Sequence, residues 1–333
     1  MLRRSLFAGL ALMALLLIGW AKHYRWEIRH KWDIVHSMLD RVPWYSLWVC
    51  RCRADSDVVL VRPDGLRTRA SLFGLGGVDP KPGIVLVHGN TPKGRKLPIY
   101  RLLSTELAER GYVVLAADCA GSGESDSPYG LGNLEALSCV PGTRAAVREL
   151  LRLPQVDTAH IAVIGHSGGA TVAIDVGIED PNVDAIVAMG PSRLEREDLA
   201  NPKTRDYFWN FFRSKVREVY HTDPPAWLTF DLWQTYSELG DLKYRVPYFL
   251  RPGHKPVLFT DGQLDWPNQI AWLRSRYDSM APPKSYFIVP GSDHFLNTTD
   301  FGFGGSVLYD RRTTAAAVGA IDHFLDSAFA GGS

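Results

Sequence analysis

The stretch with the clearest chemical potential is Gly165-His166-Ser167-Gly168-Gly169. A β-branched run, Ile161, Val163 and Ile164, stops there, and a small, helix-compatible run, Ala170, Val172 and Ala173, follows. That pattern is strand, tight turn, helix, with a serine at the apex. Glycine two residues to each side removes the Cβ atoms that would crowd so sharp a turn, and leaves the hydroxyl exposed above a sheet. A serine hydroxyl is a weak nucleophile until a base takes its proton, and the base needs a third group to orient it. Ser167 therefore predicts a histidine and a carboxylate elsewhere in the chain.

His294, in Pro290-Gly291-Ser292-Asp293-His294-Phe295, follows the extended run that ends at Val289, which places it at the sheet edge where the serine emerges. The other histidines fit less well. His166 lies inside the turn, His88 ends a strand, and His221 and His254 belong to an aromatic insertion. Two carboxylates, Asp261 and Asp265, follow the strand Pro256 to Thr260. Asp265, beyond a glycine turn and before a helix start, is the expected acid, with Asp261 as the alternative. Asp293 adjoins His294, but neighbouring side chains in a loop rarely converge, so it reads as a loop residue. An oxyanion formed on attack needs pre-aimed N–H donors. Gly168, directly after the serine, and Asn90, after His88-Gly89, are the expected pair.

These residues need a scaffold that brings them to one edge. Asp57 to Arg62 and Arg67 to Gly74 flank Pro63-Asp64-Gly65 and predict an antiparallel hairpin. Ile84 to Val87, Tyr112 to Ala117, Ile161 to Ile164, Ala185 to Met189, Pro256 to Thr260 and Ser285 to Val289 read as further strands. Helical runs at Leu97 to Arg110, Thr143 to Leu153, Trp266 to Asp278 and Thr313 to Ala328 alternate with them. The expected fold class is α/β, with a mostly parallel eight-stranded sheet and helices on both faces. Between Met189 and Pro256 lies a long aromatic-rich interval, expected to be a helical lid over about residues 194–252.

The first residues differ in character. Ser5 to Ala21 is uncharged and strongly apolar, and basic residues flank it on both sides. The expectation is an uncleaved N-terminal membrane anchor over residues 1–21, of undetermined sidedness, with a removed signal peptide and secretion as the alternative. Residues 22–53 form a basic, Trp-rich segment in which Ile28, Trp32, Val35 and Leu39 recur at helical spacing. It lies on a membrane surface or packs on the body. The enzyme domain is expected over 54–330. A formal net charge of +1 over 333 residues, with no basic stripe, gives no footing for nucleic-acid binding. Four cysteines, at 50, 52, 119 and 139, allow disulfides without demanding them.

Taken together, the chain resembles the α/β-hydrolase superfamily over about Asp57 to Ala328. The likeness rests on His88-Gly89-Asn90, the Asp118 to Ser125 loop with its Gly121-Ser122-Gly123-Glu124, the Gly165 to Gly169 turn, Gly262-Gln263-Leu264-Asp265 and His294, in the order Ser, Asp, His. The resemblance implies a lid after strand six, no metal and no cofactor. Cys119-Ala120 departs from relatives that often carry a basic residue before the glycine. The N-terminal segments lie outside the resemblance; with them, the expected activity is a membrane-anchored serine hydrolase acting on an ester, with acyl or other hydrophobic, lipid-like small molecules as substrates. An aminopeptidase, thioesterase or acyltransferase would use the same triad, and Glu195, Glu197 and Asp198 are the lid acids that could hold a free amino terminus. A dehalogenase is disfavoured because its nucleophile would be aspartate. A catalytically silent binding module is the reading from another class.

Overall fold

The computed structural model describes residues 36–191, 200–239, 245–301 and 305–331. Its centre is an eight-stranded sheet in the order β2-β3-β5-β4-β6-β7-β8-β9. The strands are β2 (Ser56–Val61), β3 (Arg67–Phe73), β4 (Lys81–Val87), β5 (Val113–Ala117), β6 (Val156–His166), β7 (Ala185–Met189), β8 (Val257–Gly262) and β9 (Lys284–Val289). Only β3 runs against the rest: it pairs antiparallel with β2 and β5, and every pairing from β5 to β9 is parallel.

The sheet forms because its central strands are apolar on both faces, as parallel strands covered by helices must be. Side chains of a strand alternate between faces, and the core divides accordingly. Ile84, Leu86, Val114, Ala116, Ala162 and Ile164 face one way, against α1 (Pro98–Glu109) and α8 (Arg311–Ala330). Val85, Val87, Val113, Leu115, Ile161 and Val163 face the other, against α2 (Val140–Leu150) and α3 (Gly168–Glu179). A one-residue slip in any central strand would exchange the two sets, so both cores fix one register. Since β4 and β6 to β9 run the same way, the chain leaves all of them at the same sheet edge.

A second sheet was not foreseen. β1 (Leu47–Cys50), β11 (Ser306–Asp310) and β10 (Thr298–Phe301) form a three-stranded antiparallel sheet, with Leu47 opposite Asp310 and Cys50 opposite Val307. It draws residues 47–50 of the Trp-rich segment onto the body, and Met38 and Val42 before them are buried. Of the residues that suggested an amphipathic helix, Ile28, Trp32 and Val35 lie outside the described residues, and Leu39 is exposed.

The expected single-pass membrane location is corrected by the structure. Among the described residues no helix is long and apolar enough to cross a membrane. α8, the longest described helix, covers the sheet: it buries Val318, Ile321 and Leu325 and leaves Asp326 exposed. The apolar run that suggested an anchor, 5–21, lies outside the described residues.

Between β7 and β8 the chain forms α4 (Pro202–Tyr220), α5 (Phe230–Leu239) and the short α6 (Val246–Phe249). Phe212, Val216, Leu228 and Trp233 build a small core of their own with Leu137 from the loop after β5. The Trp227 indole N–H closes it by donating to the Tyr129 carbonyl at 3.1 Å. The cysteines pair as Cys50–Cys52 and Cys119–Cys139.

Candidate active site

β6 ends at His166 and α3 starts at Gly168, which leaves Ser167 alone at the apex with φ 55° and ψ −125°. A non-glycine residue held there costs on the order of 1–3 kcal/mol and persists only where its surroundings over-determine it. They do. The Ser167 N–H donates to the Met189 carbonyl at 2.8 Å. A Cβ at Gly165 would lie 2.0 Å from the Gly169 carbonyl oxygen, and a Cβ at Gly169 would lie 2.5 Å from both the Val87 and His88 carbonyl oxygens. The glycines thus let the strand, the helix and the end of β4 approach at backbone distance. The crowding they relieve is on the backbone more than on the serine itself.

From the neighbouring strand ends come the other two residues. The His294 Nδ1 lies 2.7 Å from Asp265 Oδ2, and the Asp265 side chain is almost wholly buried. The second carboxylate oxygen accepts the Trp266 N–H at 2.8 Å, so both oxygens are held. With Nδ1–H donating to the carboxylate, the imidazole keeps its lone pair on Nε2, the atom a base would use. Asp261 is still within β8 and accepts the Tyr286 hydroxyl at 3.3 Å. Of the two candidate acids, Asp265 is the one that lies against His294. Asp293 accepts the Phe295 and Asn297 N–H groups at 2.9 and 2.8 Å and shapes the loop.

Glycines make room for this pair as well. A Cβ at Gly262 would lie 2.6 Å from the Ser292 and Asp293 carbonyl oxygens, and one at Gly190 (φ 52°) would lie 3.1 Å from His294 Cε1.

Opposite them, Gly168 opens α3, where unsatisfied N–H groups and the helix dipole favour negative charge. Asn90 faces it: a Cβ at Gly168 would lie 3.7 Å from the Asn90 nitrogen. A Cβ on Gly89 would lie only 2.7 Å from the Ser167 Cβ. The Asn90 nitrogen and the first residue of α3 are therefore neighbours beside the serine.

Behind the site runs a buried chain of hydrogen bonds. The Gly89 N–H donates to the Tyr100 hydroxyl at 2.7 Å, and Tyr100 Oη lies 2.9 Å from His166 Nδ1. His166 Nε2 in turn lies 2.8 Å from the His294 carbonyl. Because a carbonyl only accepts, His166 carries its proton on Nε2 and takes the tyrosine O–H at Nδ1. It is neutral, since burial pushes its pKa down to about 3. His88, pushed down to about 4 by burial, likewise accepts the Cys119 N–H at Nε2, 2.8 Å away, and donates from Nδ1 to the Gly89 carbonyl at 2.6 Å. His166 ties the His294 loop to the serine turn, and His88 ties the Asn90 loop to the loop after β5.

The loop after β5 is anchored by charge. Asp118 pairs with the buried Arg95 guanidinium and accepts the Arg95 and Glu124 N–H groups at 2.6 and 3.0 Å. The basic residue absent beside Asp118 in sequence is thus supplied from the preceding loop. Cys119 instead forms a disulfide to Cys139, at the start of α2.

Sequence reasoning passed over Tyr100 and Lys215. Tyr100 reads as one more apolar position of α1. Lys215, on α4, reads as a solvated lid residue, yet its Nζ donates to Asn90 Oδ1 at 2.9 Å. Glu195, Glu197 and Asp198 lie outside the described residues. Among the described residues, no group of three or more His, Cys, Asp or Glu side chains is placed to hold a metal ion.

No curated protein matches the chain. Among solved structures, it is similar to Est1E from Butyrivibrio proteoclasticus, in the complex with ferulic acid, at 18% identity and a TM-score of 0.56 over 82% of this chain and 100% of that one. The esterase Pf2001 from Pyrococcus furiosus is similar at 19% identity and a TM-score of 0.52, over 82% of this chain and 92% of that one. The alpha/beta hydrolase GrgF from Penicillium sp. sh18 gives 19% identity and a TM-score of 0.55, over 83% of this chain and 99% of that one. At such identities these likenesses establish the fold alone. The alpha/beta hydrolase family model, however, matches residues 84–316, more than half of the chain, from the strand before Asn90 to the helix after His294. This chain is a member of the alpha/beta hydrolase family.

Proposed function

We propose that the protein is a serine hydrolase that cleaves a carboxylic ester through an acyl-enzyme. What supports the reading is Ser167 held at a strained turn, the His294–Asp265 pair at 2.7 Å, and the 2.8 Å bond between His166 Nε2 and the His294 carbonyl that holds the histidine loop against the serine turn. His294 Nε2 takes the Ser167 proton as Oγ attacks the carbonyl carbon. The oxyanion of the tetrahedral intermediate receives the N–H groups of Gly168 and Asn90. Its collapse breaks the ester C–O bond, and the proton passes from His294 to the leaving alcohol. Water, deprotonated by the same nitrogen, then attacks the acyl-serine and releases the acid. Asp265 fixes the Nδ1–H tautomer and stabilises the imidazolium formed in each half-reaction. Esterase names among the structural neighbours agree with this choice of bond.

The reading is tested with p-nitrophenyl esters from acetyl to palmitoyl, on the wild type and Ser167→Ala. Turnover that falls by at least about 10³-fold with the serine supports it. A folded protein that cleaves none of the series, or a Ser167→Ala variant that keeps its rate, overturns it.

A further inference from the structure

Trp209, Phe212 and Val216 of α4 pack into the insertion's own core, and Lys215 of the same helix reaches the Asn90 loop instead. On α4 the basic side chains Arg213 and Arg217 flank Lys215 and share a carboxylate, Asp223, at 3.3 and 2.6 Å. Among the described residues Lys215 has no carboxylate partner. Its side chain is half-buried, and its ammonium reaches a neutral acceptor, Asn90 Oδ1, at 2.9 Å in a hydrogen bond open to solvent. Asp118, whose field reaches His88 along with that of Lys215, is itself neutralised by Arg95. Desolvation lowers the lysine's pKa to about 8, so the charged form is present at neutral pH without a counter-ion of its own.

A cation that rests on a neutral acceptor keeps its charge and its remaining donors for an anion that the working cycle supplies. The position says what. Asn90 contributes its backbone N–H to the proposed oxyanion hole and its side chain to Lys215. The path from the ammonium to the oxyanion position runs through one hydrogen bond to Asn90 Oδ1, the width of that residue and a second hydrogen bond from its N–H, about 10 Å at most. An ammonium has three donors, and the bond to Asn90 uses one.

We propose that Lys215 is a specificity-determining residue that binds a carboxylate carried by the ester substrate a few bonds from its scissile carbonyl. The inference rests on the ester-hydrolase reading and narrows its substrate class to half-esters of short dicarboxylic acids and their like. A single compact cation matches the single charge of a carboxylate. The ion pair also closes α4 onto the Asn90 loop, so substrate charge and lid position are linked.

The test compares p-nitrophenyl hydrogen glutarate with p-nitrophenyl methyl glutarate, which has the same chain without the charge. Wild type should favour the half-ester by about 10- to 100-fold in kcat/KM. Lys215→Met should bring that ratio near unity, Lys215→Arg should largely keep it, and rising salt should reduce it in the wild type. A wild type with no preference overturns the proposal, as does a Lys215→Met variant in which both esters decline in the same proportion. Cleavage of the methyl ester without charge preference removes the lysine's role and leaves the hydrolase intact. Failure to cleave either ester, with Ser167 of the folded protein unreactive to a fluorophosphonate, removes both.

Discussion

The two regions that meet at Asn90 are built on different principles. On the sheet side, position is set by backbone against backbone: no Cβ fits at Gly165, Gly169 or Gly262, because carbonyl oxygens occupy that space at 2.0 to 2.6 Å. His166 and His88 there are buried, neutral and hydrogen-bonded at both ring nitrogens. On the lid side, position is set by side chains, with Phe212, Val216, Leu228 and Trp233 packed on one another and a lysine reaching out. A backbone-defined region has few alternative sequences and keeps its geometry. A side-chain-defined region can be rebuilt by substitution without disturbing the strands. On the proposed reading this is a division of labour, with bond-breaking geometry assigned to the sheet edge and substrate choice to the lid.

The contrast breaks most sharply at Gly169. Gly169→Ala places a methyl 2.5 Å from two main-chain oxygens, so either the helix or β4 must move. We expect a loss of more than about 3 kcal/mol in urea denaturation, with activity lost alongside. A variant as stable and active as the wild type would show that the turn is not fixed by the backbone.

Acid pH is the next probe. The His166 and His88 pKa values lie below the ordinary 6.5 in the folded state, so the unfolded chain binds their protons first as pH falls. Their contribution is complete above about pH 6.5. Each then erodes by at most about 1.4 kcal/mol per pH unit down to its folded value. Unfolding free energies at pH 7, 6 and 5 should decline, and His166→Gln should flatten the slope. An unchanged slope in that variant would contradict a neutral, buried His166.

The smallest effect is expected in the lid. Trp233→Ala removes an aromatic anchor of the lid core. It should shift the chain-length preference while altering the acetyl ester's kcat/KM by less than about 3-fold. Equal losses on short and long esters would place the lid in the chemistry itself.

What the sequence revealed follows the same division. The strands of the main sheet were legible because apolar runs of β-branched residues have no other comfortable place, and β7 falls on Ala185–Met189 as read. The serine turn was legible because its demands are local. Asp265 and Asp261 stayed alternatives because only the pairing of β8 decides which carboxylate leaves the strand. The small sheet was not legible: β1 pairs with β11 across most of the chain, and four residues at Leu47–Cys50 carry no pattern that names so distant a partner. Lys215 and Tyr100 were missed for the opposite reason, each being an unremarkable residue at a helical position. The apolar N-terminal run was legible only as composition, and the described residues contain no membrane-spanning helix.

The most direct test of the account is to treat the full-length protein with a fluorophosphonate and map the adduct by mass spectrometry. The account predicts one phosphonylated residue, Ser167, with labelling lost in Asp265→Asn as the imidazole loses its orienting carboxylate. A folded protein that takes no label, or takes it on a different serine, would contradict the assignment of Ser167, Asp265 and His294 to a single catalytic unit.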